Sequence, residues 1–72
     1  MLEDLQAFRA VAFHKSFVKA AKELKVSNSV ITRRIARLEE HLGIKLLQRS
    51  TRQVGLTELG EDYLQQISEV LS

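Results

Sequence analysis

Between Leu24 and Asn28 the chain has only Lys25-Val26-Ser27 in which to end one helix and begin the next. Upstream, Phe17, Ala20, Ala21 and Leu24 recur at helical spacing behind Ser16, a residue suited to an N-cap. Downstream, Ile31, Ile35, Leu38 and Leu42 recur at helical spacing behind Ser27, a second N-cap. Gly43 closes that run as a residue free to take the left-handed conformation. A turn this short crosses two helices steeply, at about 90–120°, and Ala20 and Ala21 are small enough for the close contact that results. On spacing alone, a helical hairpin from any bundle remains an alternative.

The rest of the chain frames this unit. Leu5, Phe8, Val11 and Ala12, with Leu2 leading in, predict an amphipathic first helix over 4–14, with Asp4 placed where a carboxylate suits a helix start. After Gly43 the period changes. Residues 44–48 and 53–56 are short strand-like pieces around a basic tip, Arg49-Ser50-Thr51-Arg52, which predicts a two-stranded hairpin. Thr57 is a third N-cap, and Leu59, Tyr63, Ile67 and Val70, flanked by Leu64 and Leu71, predict a helix over 58–71. The absence of Pro and the presence of only 3 Gly agree with a mostly helical chain. The expected architecture is mostly α: three helices, a short two-stranded wing over about 44–56, and a C-terminal linker helix. With 72 residues it is one small domain whose core is marginal alone, so a partner subunit or a further domain is expected.

Several function classes are excluded early. Without cysteine there is no disulfide scaffold, thiolate metal site or cysteine nucleophile. His14 and His41 fall on different predicted helices, and Asp4 and Asp62 are the only aspartates. No Ser-His-Asp set, HExxH motif or phosphate-binding glycine loop occurs, so no catalytic, metal or cofactor site is expected. Both histidines suit the C-terminal turn of a helix. No apolar run is long enough to span a bilayer and the first residues are not a basic signal start, so a cytoplasmic chain is expected.

Charge and periodicity together point to a polyanion. The formal net charge is +2, yet 10 of the 11 Lys and Arg residues lie within 15–52, between acidic ends. A solvated, salt-bridged face would also fit that distribution. The helix over 28–42 favours the first reading. With Ile31, Ile35, Leu38 and Leu42 turned inward, Ser29, Thr32, Arg33 and Ala36 point outward and Arg37 lies to one side. Small residues let a helix enter the major groove, Arg pairs with guanine, and Asn, Ser or Thr can pair with other base edges. Glu39 and Glu40 lie at the far end, where such a helix would leave the groove. A protein-binding helical module would not need this Arg-bearing face. Arg49 and Arg52 in the following hairpin would enter a minor groove or hold phosphates, with Arg49 the better placed to pair internally.

The motifs Leu5-x-x-Phe8-x-x-Val11, Ser16-Phe17-x-x-Ala20-Ala21-x-x-Leu24-x-Val26-Ser27, Ile35-x-x-Leu38-Glu39-x-x-Leu42-Gly43-x-x-Leu46-Leu47-x-Arg49 and Leu56-Thr57-Glu58-x-Gly60 occur in that order. As an ordered set they resemble the N-terminal DNA-binding region of LysR-type transcriptional regulators over nearly the whole chain. The resemblance implies a winged helix-turn-helix over 1–57, with the helix-turn-helix at about 17–36, and the start of a linker and dimerisation helix over 58–72. It implies bacterial transcription control through double-stranded DNA. Base reading would fall on Asn28, Ser29, Thr32 and Arg33, and backbone contact on Ser16, Lys19, Ser27, Arg34 and Arg37. Wing contacts would fall on Arg49, Arg52 and Gln53. A homodimer seam would use Leu59, Tyr63, Leu64, Ile67, Val70 and Leu71, placing two recognition helices on an interrupted palindrome. RNA polymerase is implied as a partner of the full-length protein, and the inducer as a ligand of an effector domain outside these residues. Five positions depart from the family pattern. Asn28-Ser29 stands where Gln-Pro is usual, Thr32 where Ser is common, Leu47 where Phe is common, and Lys15 where Gly is usual. If position 15 needs a positive φ, Lys costs about 1 kcal/mol there.

Overall fold

The computed structural model describes residues 2–49 and 54–71, the side chains of Arg49 and Leu71 excepted. Among the described residues the order is α1 (Leu2–His14), α2 (Phe17–Leu24), α3 (Asn28–Leu42), β1 (Leu47–Arg49), β2 (Val54–Leu56) and α4 (Glu58–Leu71). α1 is the hub, packing against α2, α3, β2 and α4. Its Ala7, Phe8, Ala10 and Val11 meet Ala20 and Ala21 of α2, Ile31, Ile35 and Leu38 of α3, and Leu46, Leu47 and Ile67 in one buried core.

Local chemistry closes the helix ends. The Ser16 hydroxyl accepts from the Lys19 N–H at 3.1 Å and the Ser27 hydroxyl from the Val30 N–H at 3.3 Å, so each satisfies a first-turn donor. Thr57 does the same for the Gly60 N–H at 2.9 Å. Gly43 ends α3 at φ 71°, donating its N–H to the Glu39 carbonyl. Two ends are closed by lysine. Lys15 has φ 55° and Lys25 has φ 59°, both in the left-handed region. The positive φ anticipated at Lys15 is therefore present. At Lys25 that conformation lets the Val26 N–H reach back to the Ala21 carbonyl at 3.0 Å, which completes the turn before α3.

Two expectations are corrected. α1 begins at Leu2, not at residue 4, and Asp4 is turned inward from its first turn, only 1% exposed. The first wing strand also starts later than the predicted 44–48, and residue 53 of the predicted 53–56 lies outside the described residues. Leu47 pairs with Leu56, Gln48 with Gly55 and Arg49 with Val54, antiparallel. Residues 44–46 stay out of the ladder because their peptide groups are engaged elsewhere. The Glu39 carboxylate accepts from the N–H groups of Leu46 (2.8 Å) and Leu47 (3.3 Å). From the other side, Thr57 donates its hydroxyl to the Lys45 carbonyl (2.6 Å) and its N–H to the Leu46 carbonyl (3.0 Å). Gly60 lies against the same Leu46 carbonyl, so closely that an added Cβ would stand 2.1 Å from the oxygen. The wing tip, with Arg52 and Gln53, lies outside the described residues.

Candidate nucleic-acid interface

α3 divides into an inner and an outer surface. Ile31, Ile35 and Leu38 are almost wholly buried, which fixes the rotation of the helix about its axis. Ser29, Thr32, Arg33 and Ala36 are exposed on the opposite side, and Asn28 is exposed at the first position of the helix. The face bears amide, hydroxyl and guanidinium groups and the methyls of Thr32 and Ala36, with no carboxylate in its first two turns. Of the base-reading residues predicted from sequence, Ser29, Thr32 and Arg33 thus share one surface, with Asn28 exposed at its N-terminal end. Lys19 of α2 is exposed as well, while Arg34 is half-buried at the edge of the face. Ser16 and Ser27 stand at the starts of α2 and α3. Each hydroxyl already accepts a backbone N–H and keeps its own hydrogen to donate to an anion.

Arg37 has a different first partner from the one expected. Its Nε and Nη2 donate to the two carboxylate oxygens of Asp4 at 2.8 and 2.6 Å, a bidentate pair joining the start of α1 to the second half of α3. These bonds hold the Asp4 carboxyl below its ordinary value, against the opposing effect of its burial. The Arg37 side chain is still 58% exposed, so the guanidinium edge away from Asp4 faces solvent. Sequence reasoning placed Asp4 only as a helix-start acid. Its position four residues before Phe8 and seven before Val11 puts a carboxylate on the apolar face of α1, and that spacing was the available signal.

Glu39 was likewise expected at a solvent-facing helix exit, but its side chain is 15% exposed and turned onto the base of the wing. His14 ends α1, with Nε2 2.6 Å from Glu23 Oε1. On α4 the apolar stripe is shared. Ile67 is 6% exposed in the chain's own core and the Tyr63 ring packs tilted against Phe8 with centroids 6.0 Å apart, whereas Leu59 and Val70 face outward. Leu64 is half-buried beside a shallow groove with Arg9, Phe13 and Leu24. The Leu71 side chain lies outside the described residues. No described helix is long and apolar enough to cross a membrane.

Two helices joined by a tight turn, the second with an exposed polar face, followed by a β-hairpin, define a winged helix-turn-helix. The family model for bacterial regulatory helix-turn-helix proteins of the lysR family matches residues 2–61, and the chain belongs to that family. It is 44% identical over 69 residues to the HTH-type transcriptional regulator CrgA of Neisseria meningitidis, covering 96% of this chain and 23% of that protein. It is 42% identical over 71 residues to the glycine cleavage system transcriptional activator of Escherichia coli, covering 99% of this chain and 23% of that protein. The chain therefore spans about a quarter of the length of these relatives. Among solved structures, the BenM DBD in complex with benA site 1 DNA superimposes with a TM-score of 0.94 at 39% identity, covering 99% of this chain and 80% of that one. The family is regulatory, so an enzyme is no longer a reading of this chain.

Proposed function

We propose that this chain is a sequence-specific reader of double-stranded DNA, with α3 in the major groove and the wing on the neighbouring minor groove or backbone. The observation that carries the reading is the outer face of α3. It holds five exposed side chains with base-pairing or groove-fitting chemistry on a helix whose rotation the core fixes. Asn28, Ser29, Thr32 and Arg33 are the base readers. Ser16, Lys19, Ser27 and Arg34 hold phosphates, and Arg37 joins them through the guanidinium edge that Asp4 leaves uncovered. Arg49, Arg52 and Gln53 act in the wing. The solved BenM complex, in which a domain of this fold is bound to DNA, supports the same reading.

The functional unit is a homodimer in the bacterial cytoplasm, with residues 1–57 as the reading domain and 58–72 as the start of the dimerisation helix. Leu59, Leu64, Val70 and Leu71 are its seam. Ile67 supports that seam from within the core and the half-buried Tyr63 from its edge. A two-fold pair sets the recognition helices about 34 Å apart, which requires an interrupted palindrome. In the complete regulator RNA polymerase is a further partner, and the inducer is recognised outside these residues.

The test is a binding titration of the 72-residue chain against a pool of random duplexes at two salt concentrations. Enrichment of a two-fold-related motif is expected. Salt-sensitive binding without enrichment would leave a phosphate-holding surface and remove the base-reading role.

A further inference from the structure

The base of the wing is gripped from two sides. From the last turns of α3, Glu39 takes the Leu46 and Leu47 N–H groups into one carboxylate oxygen, at 2.8 and 3.3 Å. From the start of α4, Thr57 takes the Lys45 and Leu46 carbonyls. The two grips differ in what they join. Thr57 ties the wing to α4, and Glu39 ties it to the helix with the outward polar face.

We propose that Glu39 is a positioning residue for DNA reading: its carboxylate sets where the wing stands relative to α3, and so which flanking base pairs the wing meets. This rests on the reading of α3 and the wing as the DNA-contacting elements. A carboxylate only 15% exposed makes one short charge-assisted bond, to the Leu46 N–H, and a longer one to the Leu47 N–H on the same oxygen, which together define a geometry. Lys45 approaches its other oxygen only at 3.9 Å and is 84% exposed, so it contributes little to that geometry. Among the described residues the hairpin has three residue pairs and sets its own register, but so short a ribbon has little orientation of its own. Its placement comes from the links at its base. Without Glu39, the Thr57 bonds and the buried Leu46 and Leu47 side chains still hold the wing to the domain. The α3 face does not depend on Glu39, because Ile31, Ile35 and Leu38 fix it. Half-site reading and flank reading are therefore separable.

The experiment measures affinity of the 72-residue chain for duplexes that share the selected half-site and differ only in A·T or G·C flanks. A second set keeps the flanks and changes one half-site base pair. For Glu39→Ala the flank ratio should fall to about 1 while the half-site ratio stays within about twofold of the unaltered chain. Glu39→Gln, which keeps an oxygen for the Leu46 N–H, should retain most of the flank ratio. If Glu39→Ala does not fold by circular dichroism, Glu39→Asp, one methylene short of the wing, should change the flank ratio and leave the half-site ratio. An unchanged flank ratio, or a parallel loss of both ratios, overturns the proposal. Indifference of the unaltered chain to flanks overturns it too, whereas failure of the unaltered chain to bind any duplex removes the DNA reading itself.

Discussion

The two halves of α3 are built for different partners. In the first two turns the charged and polar side chains face outward, from Asn28 to Arg33. In the later turns two such groups are bound to the protein, Arg37 to Asp4 of α1 and Glu39 to the backbone at the base of the wing, while Glu40 and His41 stay exposed. In the function proposed above, one continuous helix reads with its N-terminal half and is held through Arg37 and Glu39 of its C-terminal half. The holding bonds leave the outward groups of the first half unengaged, and the buried Ile31, Ile35 and Leu38 fix how that half is presented.

The sharpest break between the halves comes from the inner surface they share. Ile35→Ala removes a side chain that is 1% exposed and should cost about 2–5 kcal/mol, seen as a large drop in the thermal midpoint. Arg33→Ala should leave the melting curve in place while affinity for the preferred duplex falls about ten- to a hundredfold, with relaxed preference at one base pair. Lys19→Ala should instead weaken all duplexes alike and reduce the salt dependence. Equal losses on specific and random DNA for Arg33→Ala would contradict base reading.

On the holding side, Asp4→Asn should cost about 1–2 kcal/mol at neutral pH, measured by urea unfolding. The sign of its pH dependence follows from the lowered value of the Asp4 carboxyl. The folded chain keeps this group ionised at a pH where the unfolded chain has begun to protonate it. Its contribution is therefore complete above about pH 4 and is lost as acid titrates the folded carboxyl. The stability gap between the unaltered chain and Asp4→Asn should narrow below about pH 4; a gap constant to about pH 3 would show that the carboxylate charge does not carry it. The smallest effect is expected at Lys15→Gly. Glycine relieves the φ of 55° but loses more entropy on folding, leaving a gain of a few tenths of a kcal/mol. If Lys15 also meets a phosphate, DNA affinity should fall as stability rises.

What was legible in the sequence divides along the same line. The caps at Ser16, Ser27, Thr57 and Gly43 act within a few residues of themselves, so their meaning shows in the local order of residue types. The outer face of α3 was legible because periodicity alone separates it from Ile31, Ile35 and Leu38. The Asp4–Arg37 pair joins groups 33 residues apart. Glu39 reaches across a chain reversal to Leu46 and Leu47, and Gly60 meets the backbone of a loop. Such bonds depend on how finished elements are set against one another, which no local pattern encodes. The premature stretch assigned to β1 has that cause: Ile44, Lys45 and Leu46 look extended, but a distant carboxylate and a threonine take their peptide groups. Lys25 was hidden for another reason, since lysine carries no signal for a positive φ.

The closed turn at Lys25 and Val26 also bears on how such a chain changes over generations. None of the five outward residues of α3 contributes a buried side chain, so duplicated copies can diverge in what they bind by point substitution there, with the interior untouched. A change of length within 25–27 has no such neutral route. It would disturb the Val26-to-Ala21 bond and the Ser27 cap together, and with them the phase in which every outward residue is displayed. New specificity is open to this fold by spelling, and closed to it by spacing.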